Sequence, residues 1–129
     1  TEPKNIFVAE FIGNPKMNIF KIRSKDIVDN NSFKLFDKKI VFENLNFQDD
    51  FYIGIRPEDI SIENRSEIAL EITLDLIENL GSEKILYSHI NGTEIRIKSS
   101  KIINGKNITI YLPKNKIYLF DKNKNRFKT

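Results

Sequence analysis

The sequence contains no cysteine, which excludes disulfides and thiolate metal sites and leaves a cytosolic location permitted. It has a single histidine, His89. A zinc centre of the usual kind needs several His or Cys ligands, and one imidazole without an oriented partner makes no catalytic dyad. His89 therefore reads as a strand-surface or core-edge residue. Glycine is scarce, with 5 in the chain, and phosphate-binding loops need glycines so that backbone N–H groups can converge on the anion. The nearest approach is Ser100 to Lys106, which ends in Gly105-Lys106. Ser100 stands where the first glycine belongs and Asn107 where Ser or Thr belongs, so this segment reads as a turn. No run reaches the roughly 18 apolar residues of a membrane-spanning helix. The start, Thr1-Glu2-Pro3-Lys4, is polar and shows no signal-peptide pattern, and its lack of Met leads us to expect a processed or excised fragment.

What is present is the balance of a folded domain. The 129 residues suffice for one core, with 40% hydrophobic and 30% charged residues. The net charge of +3 could suggest nucleic acid or an anionic membrane. Lys, Asn and Ile are abundant together, as an AT-rich coding bias would produce, so the charge reads as a solvated, Lys-rich surface.

Residues 1–13 predict a helix, with Thr1 as N-cap and Pro3 in the first turn. Phe7 and Phe11, and Val8 and Ile12, fall on one face, and Gly13 supplies the stop. Strand patterns follow over 18–23, 33–36, 39–42 and 51–56, with Asp37-Lys38 as a turn and 24–50 less regular. Residues 68–77 give the clearest strand: Leu70, Ile72, Leu74 and Leu76 on one face, Glu71, Thr73 and Asp75 on the other. Asn91-Gly92, the favoured type I′ pair, joins strands 84–90 and 93–98 into a hairpin. Strands over 107–112 and 117–120 and a charged tail over 121–129 complete the chain. One helix and eight to ten short strands at this spacing predict a mainly-β barrel or sandwich in a single domain, 1–129.

Chemistry is sparse. The acid pairs Asp49-Asp50 and Glu58-Asp59 lie beside turns, where carboxylates are solvated. The Asn-X-Ser/Thr triplets at Asn30, Asn64, Asn91 and Asn107 are chance matches in an Asn-rich chain. Tyr87, Arg96, Lys98 and Tyr111 could form an oligonucleotide-binding face, but Glu71, Asp75 and Glu94 share those faces, and such binding needs a continuous positive track. No residue is assigned a catalytic, cofactor-binding or metal-binding role.

The most informative stretch is Phe51 to Ile60. Ile53 and Ile55 alternate as in a half-buried strand, Pro57 ends the ladder because it has no N–H, and Arg56 and Glu58 remain as opposite charges on a rigid corner. Gly54-Ile55-Arg56-Pro57-Glu58 resembles the Gly-Ile-Arg-Pro-Glu signature in the accessory domain of the maltose/multiple-sugar ABC importer ATPases. Three further segments are similar in order and spacing. Ile6 to Asn18, with Phe11-Ile12-Gly13, Pro15 and Met17-Asn18, resembles the junction after the nucleotide-binding domain. Leu80-Gly81-Ser82-Glu83 is similar to the Leu-Gly-x-Glu turn. Ile117-Tyr118-Leu119-Phe120-Asp121 is similar to the closing strand, with Tyr118 where the family has His.

The resemblance covers the chain end to end. It implies an OB-type, TOBE-like β-barrel with a short N-terminal helix, acting as a non-catalytic C-terminal regulatory and dimerisation domain. The ATPase domain, with the ATP and Mg it uses, is absent from the sequence. The resemblance also implies a homodimer through this domain, contact with the parent's ATPase domain, membrane permease subunits reached only through the parent, no nucleic acid, and a cytoplasmic position at the inner face of the membrane. Arg56, Pro57, Glu58, Gly81, Ser82 and Glu83 are the interface or regulatory candidates it carries over. The alternative is a free-standing OB-fold module for nucleic acid or a small anion.

Overall fold

The computed structural model describes residues 4–6, 8 and 15–127. Ten strands follow in chain order among them: β1 (Asn18–Ile22), β2 (Ile27–Asp29), β3 (Ser32–Leu35), β4 (Lys38–Val41), β5 (Phe51–Ile55), β6 (Ile68–Asn79), β7 (Lys84–Ile90), β8 (Thr93–Ser99), β9 (Asn107–Leu112) and β10 (Tyr118–Phe120). They form three antiparallel sheets, ordered β1-β5-β10, β2-β3-β4 and β8-β7-β6-β9. The mainly-β, OB-type architecture expected from the sequence is the one observed. Most of the expected helix over 1–13 lies outside the described residues. Ile6 and Val8 have helical backbone, and Asn5 Oδ1 accepts the Val8 N–H at 2.9 Å, as an N-cap does.

Two joints connect the sheets. Asn18 is fully buried in β1. Its Nδ2 donates to the Arg96 carbonyl at 2.9 Å, and its Oδ1 accepts the Arg96 N–H at 2.8 Å. Its amide thus offers β8 what a neighbouring strand would offer, one donor and one acceptor. A second donation, to the Ile55 carbonyl at 3.2 Å, ties the same side chain to β5. On the other side, Ser61 and Tyr111 exchange backbone hydrogen bonds of 3.0 and 2.8 Å, joining the segment after β5 to β9.

The alternating side chains of β6, β8 and β9 (Leu70, Ile72, Leu74, Ile95, Ile97, Ile110) meet Phe33, Phe51 and Ile53 in the main core. One end is aromatic: Phe47 stacks on Phe51 at 4.4 Å, and Phe33 meets Phe51 edge-on at 5.0 Å. A smaller cluster, Ile6, Met17 and Phe120, lies on the other side of the β1-β5-β10 sheet. Gly54 in β5 is where the sheet admits no side chain. A Cβ there would lie 2.6 Å from Met17 Sδ and 3.1 Å from both Ile19 Cδ1 and Phe120 Cε2.

Three expectations need correction. Leu76 does not share the inner face of Leu70, Ile72 and Leu74; it is 59% exposed. The β6–β7 register shifts between Leu74 and Leu76, and this bulge inserts one residue and reverses the alternation beyond it. The turn between β3 and β4 is Phe36-Asp37, not Asp37-Lys38, and both residues have positive φ, 49° and 67°. A short 3-10 turn, Pro57–Asp59, separates β5 from Ser61. The segment after β10 is ordered structure through Phe127. Its N–H donates to Leu119 at 2.9 Å, and its ring meets Phe51 at 5.9 Å. The same segment binds the start of the described chain: Ile6 N–H donates to Lys124 and Arg126 N–H to Lys4, at 3.0 and 3.1 Å.

Candidate functional site

The corner begins where β5 runs out of ladder. Arg56 is extended (φ −72°, ψ 144°), as a residue before proline must be. Pro57 is buried, and the Asp59 N–H closes the turn on the Arg56 carbonyl at 2.9 Å. The Arg56 guanidinium lies 5.8 Å from the centre of the Tyr118 ring, and that of Arg126 lies 4.9 Å from it. Tyr118 is therefore the platform on which two cations rest, a role that needs an aromatic face at this position. Glu58 points to solvent.

Below the corner, a cleft of about 470 Å³ opens between the 3-10 turn and β8. Glu58, Asp59, Lys98, Ser100, Lys101 and Lys116 are among the residues that line it. Partial burial raises the Asp59 pKa above its ordinary 3.8, and Glu58 adds to this; Lys116 and Arg56 oppose it. Sequence reading passed over Asp59 as a solvated acid. Its neighbour Pro57 and the apolar Ile60 were the available signs that the turn tucks inward.

Gly81, Ser82 and Glu83 form the exposed turn between β6 and β7. Gly81 has φ +86°, a conformation that favours glycine. Glu83 Oε2 lies 3.7 Å from Lys98 Nζ, and Lys98 also lines the cleft beside Glu58. The structure thus links Glu83 to the corner through one lysine, while Gly81 and Ser82 make no such link.

Each cation proposed for an oligonucleotide face has an acid beside it. Arg96 Nε is 3.0 Å from Glu94 Oε1, and Lys98 faces Glu83. The Tyr87 hydroxyl donates to Glu78 at 3.2 Å, and burial together with that carboxylate raises its pKa. His89 does have partners, which sequence reading missed because they come from neighbouring strands. Its Nδ1 is 2.6 Å from Asp75 Oδ2, and its Nε2 is 4.0 Å from Glu94 Oε2. The two acids lie at opposite ring nitrogens and cannot converge on one ion. No group of three metal-ligating side chains occurs among the described residues.

No protein-family model matches the chain. Curated proteins do match. The xylose/arabinose import ATP-binding protein XacJ of Haloferax volcanii is 29% identical over 136 residues, covering 93% of this chain. The oligosaccharides import ATP-binding protein MsmX of Bacillus subtilis is 32% identical over 132 residues, covering 92% of it. This chain is a homologue of the ATP-binding proteins of sugar ABC importers. The sn-glycerol-3-phosphate import ATP-binding protein UgpC of Escherichia coli is a further homologue, 26% identical over 127 residues. The chain spans about a third of the length of these relatives, 36% in the case of XacJ. It is thus related to one portion of an importer ATP-binding protein, and in this chain the matching sequence folds as a mainly-β structure.

Proposed function

We propose that the chain is a non-catalytic C-terminal regulatory and dimerisation domain, residues 1–129, of the ATP-binding subunit of a sugar-type ABC importer. The observation that carries this reading is the coverage: the homology runs over 93% of this chain but 36% of XacJ. A β-barrel without a phosphate loop supports it. On this reading the parent protein supplies the ATPase domain with its ATP and Mg, contacts the permease subunits, and works at the cytoplasmic face of the membrane. The barrel holds two subunits together while their ATPase halves open and close. A permanent contact makes each reclosure intramolecular, which raises the effective concentration of one half near the other. Arg56, Pro57, Glu58, Gly81, Ser82 and Glu83 are the candidate interface or regulatory contacts: Glu58 and the hairpin turn are exposed, and Lys98 links Glu83 to the cleft at the corner. A ligand or protein that preferred one arrangement of the pair would shift the balance by its differential affinity.

The test reads the coding sequence upstream of Thr1 and assays the chain itself. We expect a phosphate loop roughly 200 residues earlier, the length of an ordinary nucleotide-binding domain, and no ATP hydrolysis by the 129-residue chain. An unrelated upstream sequence, or turnover of Mg·ATP by the chain, overturns the reading. Salt-sensitive binding of single-stranded oligonucleotides, or calorimetric binding of molybdate or tungstate, would favour a free-standing binding module instead.

A further inference from the structure

The far half of β6 is a strand with one side unpaired. Up to Thr73, β6 pairs with β9, and the Leu74 N–H still reaches the Lys106 carbonyl at 2.7 Å. Beyond the bulge, Leu76 to Asn79 pair with β7 alone. Residues 75–83 are all exposed. Leu76, Ile77 and Leu80 are three of the five exposed large hydrophobic residues among those described. Proteins usually blunt such an edge with Lys, Pro or a covering segment, and residues 76–79 contain neither Lys nor Pro.

We propose that this edge pairs antiparallel with the same edge of a second copy, about a two-fold axis at Ile77. The inference rests on the dimerisation reading above and assigns the surface. Backbone alternation limits the choice of axis. The Leu80 N–H donates to Glu83 across the hairpin at 2.8 Å, so Leu80, Glu78 and Leu76 turn their backbone groups toward β7. Ile77 and Asn79 turn theirs outward. With Leu74 turned to Lys106 and the bulge following it, the outward residues Ile77 and Asn79 allow an axis at 77, 78 or 79. At 78 it sets Glu78 against Glu78 of the second copy, and like charges directly opposite are destabilising; at 79 it sets Ile77 against Gly81, beyond the end of β6. At 77, Leu76 faces Glu78 and Asp75 faces Asn79, so no acid meets an acid within residues 75–79. Leu76 also gains Leu76 and Leu80 of the second copy as diagonal neighbours, within reach of long side chains. The paired sheets would run on as one, with a small contact area and hence a weak, concentration-dependent dimer.

The absence of cysteine allows a direct test. In the proposed register the two Ile77 Cα atoms form a hydrogen-bonded pair about 5.5 Å apart, within the reach of a disulfide. We expect Ile77→Cys to form a disulfide dimer on mild oxidation, and Val28→Cys, exposed on another sheet, to stay monomeric. In sedimentation equilibrium, Ile77→Lys should weaken self-association about tenfold or more by opposing two like charges at the axis. If the wild-type chain dimerises but Ile77→Cys does not cross-link and Ile77→Lys dimerises normally, the surface is wrong and the dimerisation reading stands. A wild-type chain that stays monomeric up to millimolar concentration overturns both. Should Ile77→Lys fail to fold, the cross-link alone decides.

Discussion

Removing the Asn18 side chain should cost more than any other polar substitution in the barrel. The amide makes three hydrogen bonds, to the Ile55 carbonyl and to both backbone groups of Arg96, from a fully buried position. Asn18→Ala leaves the Arg96 N–H without its partner, at a cost of about 1–3 kcal/mol, and forfeits the two bonds to carbonyls at about 0.5–1.5 kcal/mol each. The expected loss is therefore about 3 kcal/mol. In a chain of this size that lowers the melting temperature by roughly 10 °C. Urea unfolding followed by far-UV circular dichroism measures it, with an unchanged slope as the sign that the unfolded state is the same. Asn18→Asp is the internal control. It keeps the acceptor for Arg96 N–H but aims a carboxylate at two carbonyl oxygens, so it should be at least as damaging at neutral pH. Its deficit should shrink in acid, where a protonated carboxyl recovers one donor. A loss under about 0.5 kcal/mol for Asn18→Ala would refute the view that this amide stands in for a strand.

Two more predictions concern the corner. Gly54→Ala should destabilise by about 1–3 kcal/mol through overpacking, because its methyl meets Met17, Ile19 and Phe120. In a Met17→Ala background, which carries its own cavity cost, Gly54→Ala should add a smaller loss than in the wild type, and denaturant titration of both single variants and the double variant checks this. Asp59→Asn should stabilise the fold at neutral pH. The raised pKa means that the folded state binds the Asp59 proton more tightly than the unfolded state, so stability falls as pH rises from the ordinary 3.8 through the folded value. The gain from Asn should therefore be complete above that window and vanish below about pH 3.8. Melting temperatures measured across that range for both proteins test the sign.

The elements that the sequence declares are those whose local pattern and tertiary setting agree. Leu70, Ile72 and Leu74 alternate because the ladder to β9 is regular along Ile68 to Thr73, and Asn91-Gly92 forms the expected turn with φ of 50° and 80°. Beyond Leu74 alternation alone misleads, since a bulge leaves no mark on hydrophobicity and places Leu76 outside. The Phe36-Asp37 turn was invisible because Phe is a poor occupant of positive φ; Phe36 holds it while packing edge-on against Phe20 at 5.4 Å. The charged residues 121–127 read as a tail because their order comes from distant partners, Leu119, Lys4 and Ile6. The corner itself was legible through Pro57. Its surroundings were not: Tyr118 and Lys98 reach it from strands more than 40 positions away, and nothing local in a sequence records such a meeting.

The bonds that fasten the end of the described chain to its beginning also set a path for mechanical load. Such a load passes through the Arg126–Lys4 and Ile6–Lys124 bonds into residues 121–127, whose loop is braced by Asp121 accepting the Asn125 N–H at 3.0 Å. From there the Phe127–Leu119 bond delivers it to β10. β10 lies against β5 with Tyr118 opposite Gly54, and Tyr118 carries both Arg126 and Arg56. Displacement at one end of the chain is thus felt at the Arg56-Pro57-Glu58 elbow before it reaches β6 and the hairpin beyond it.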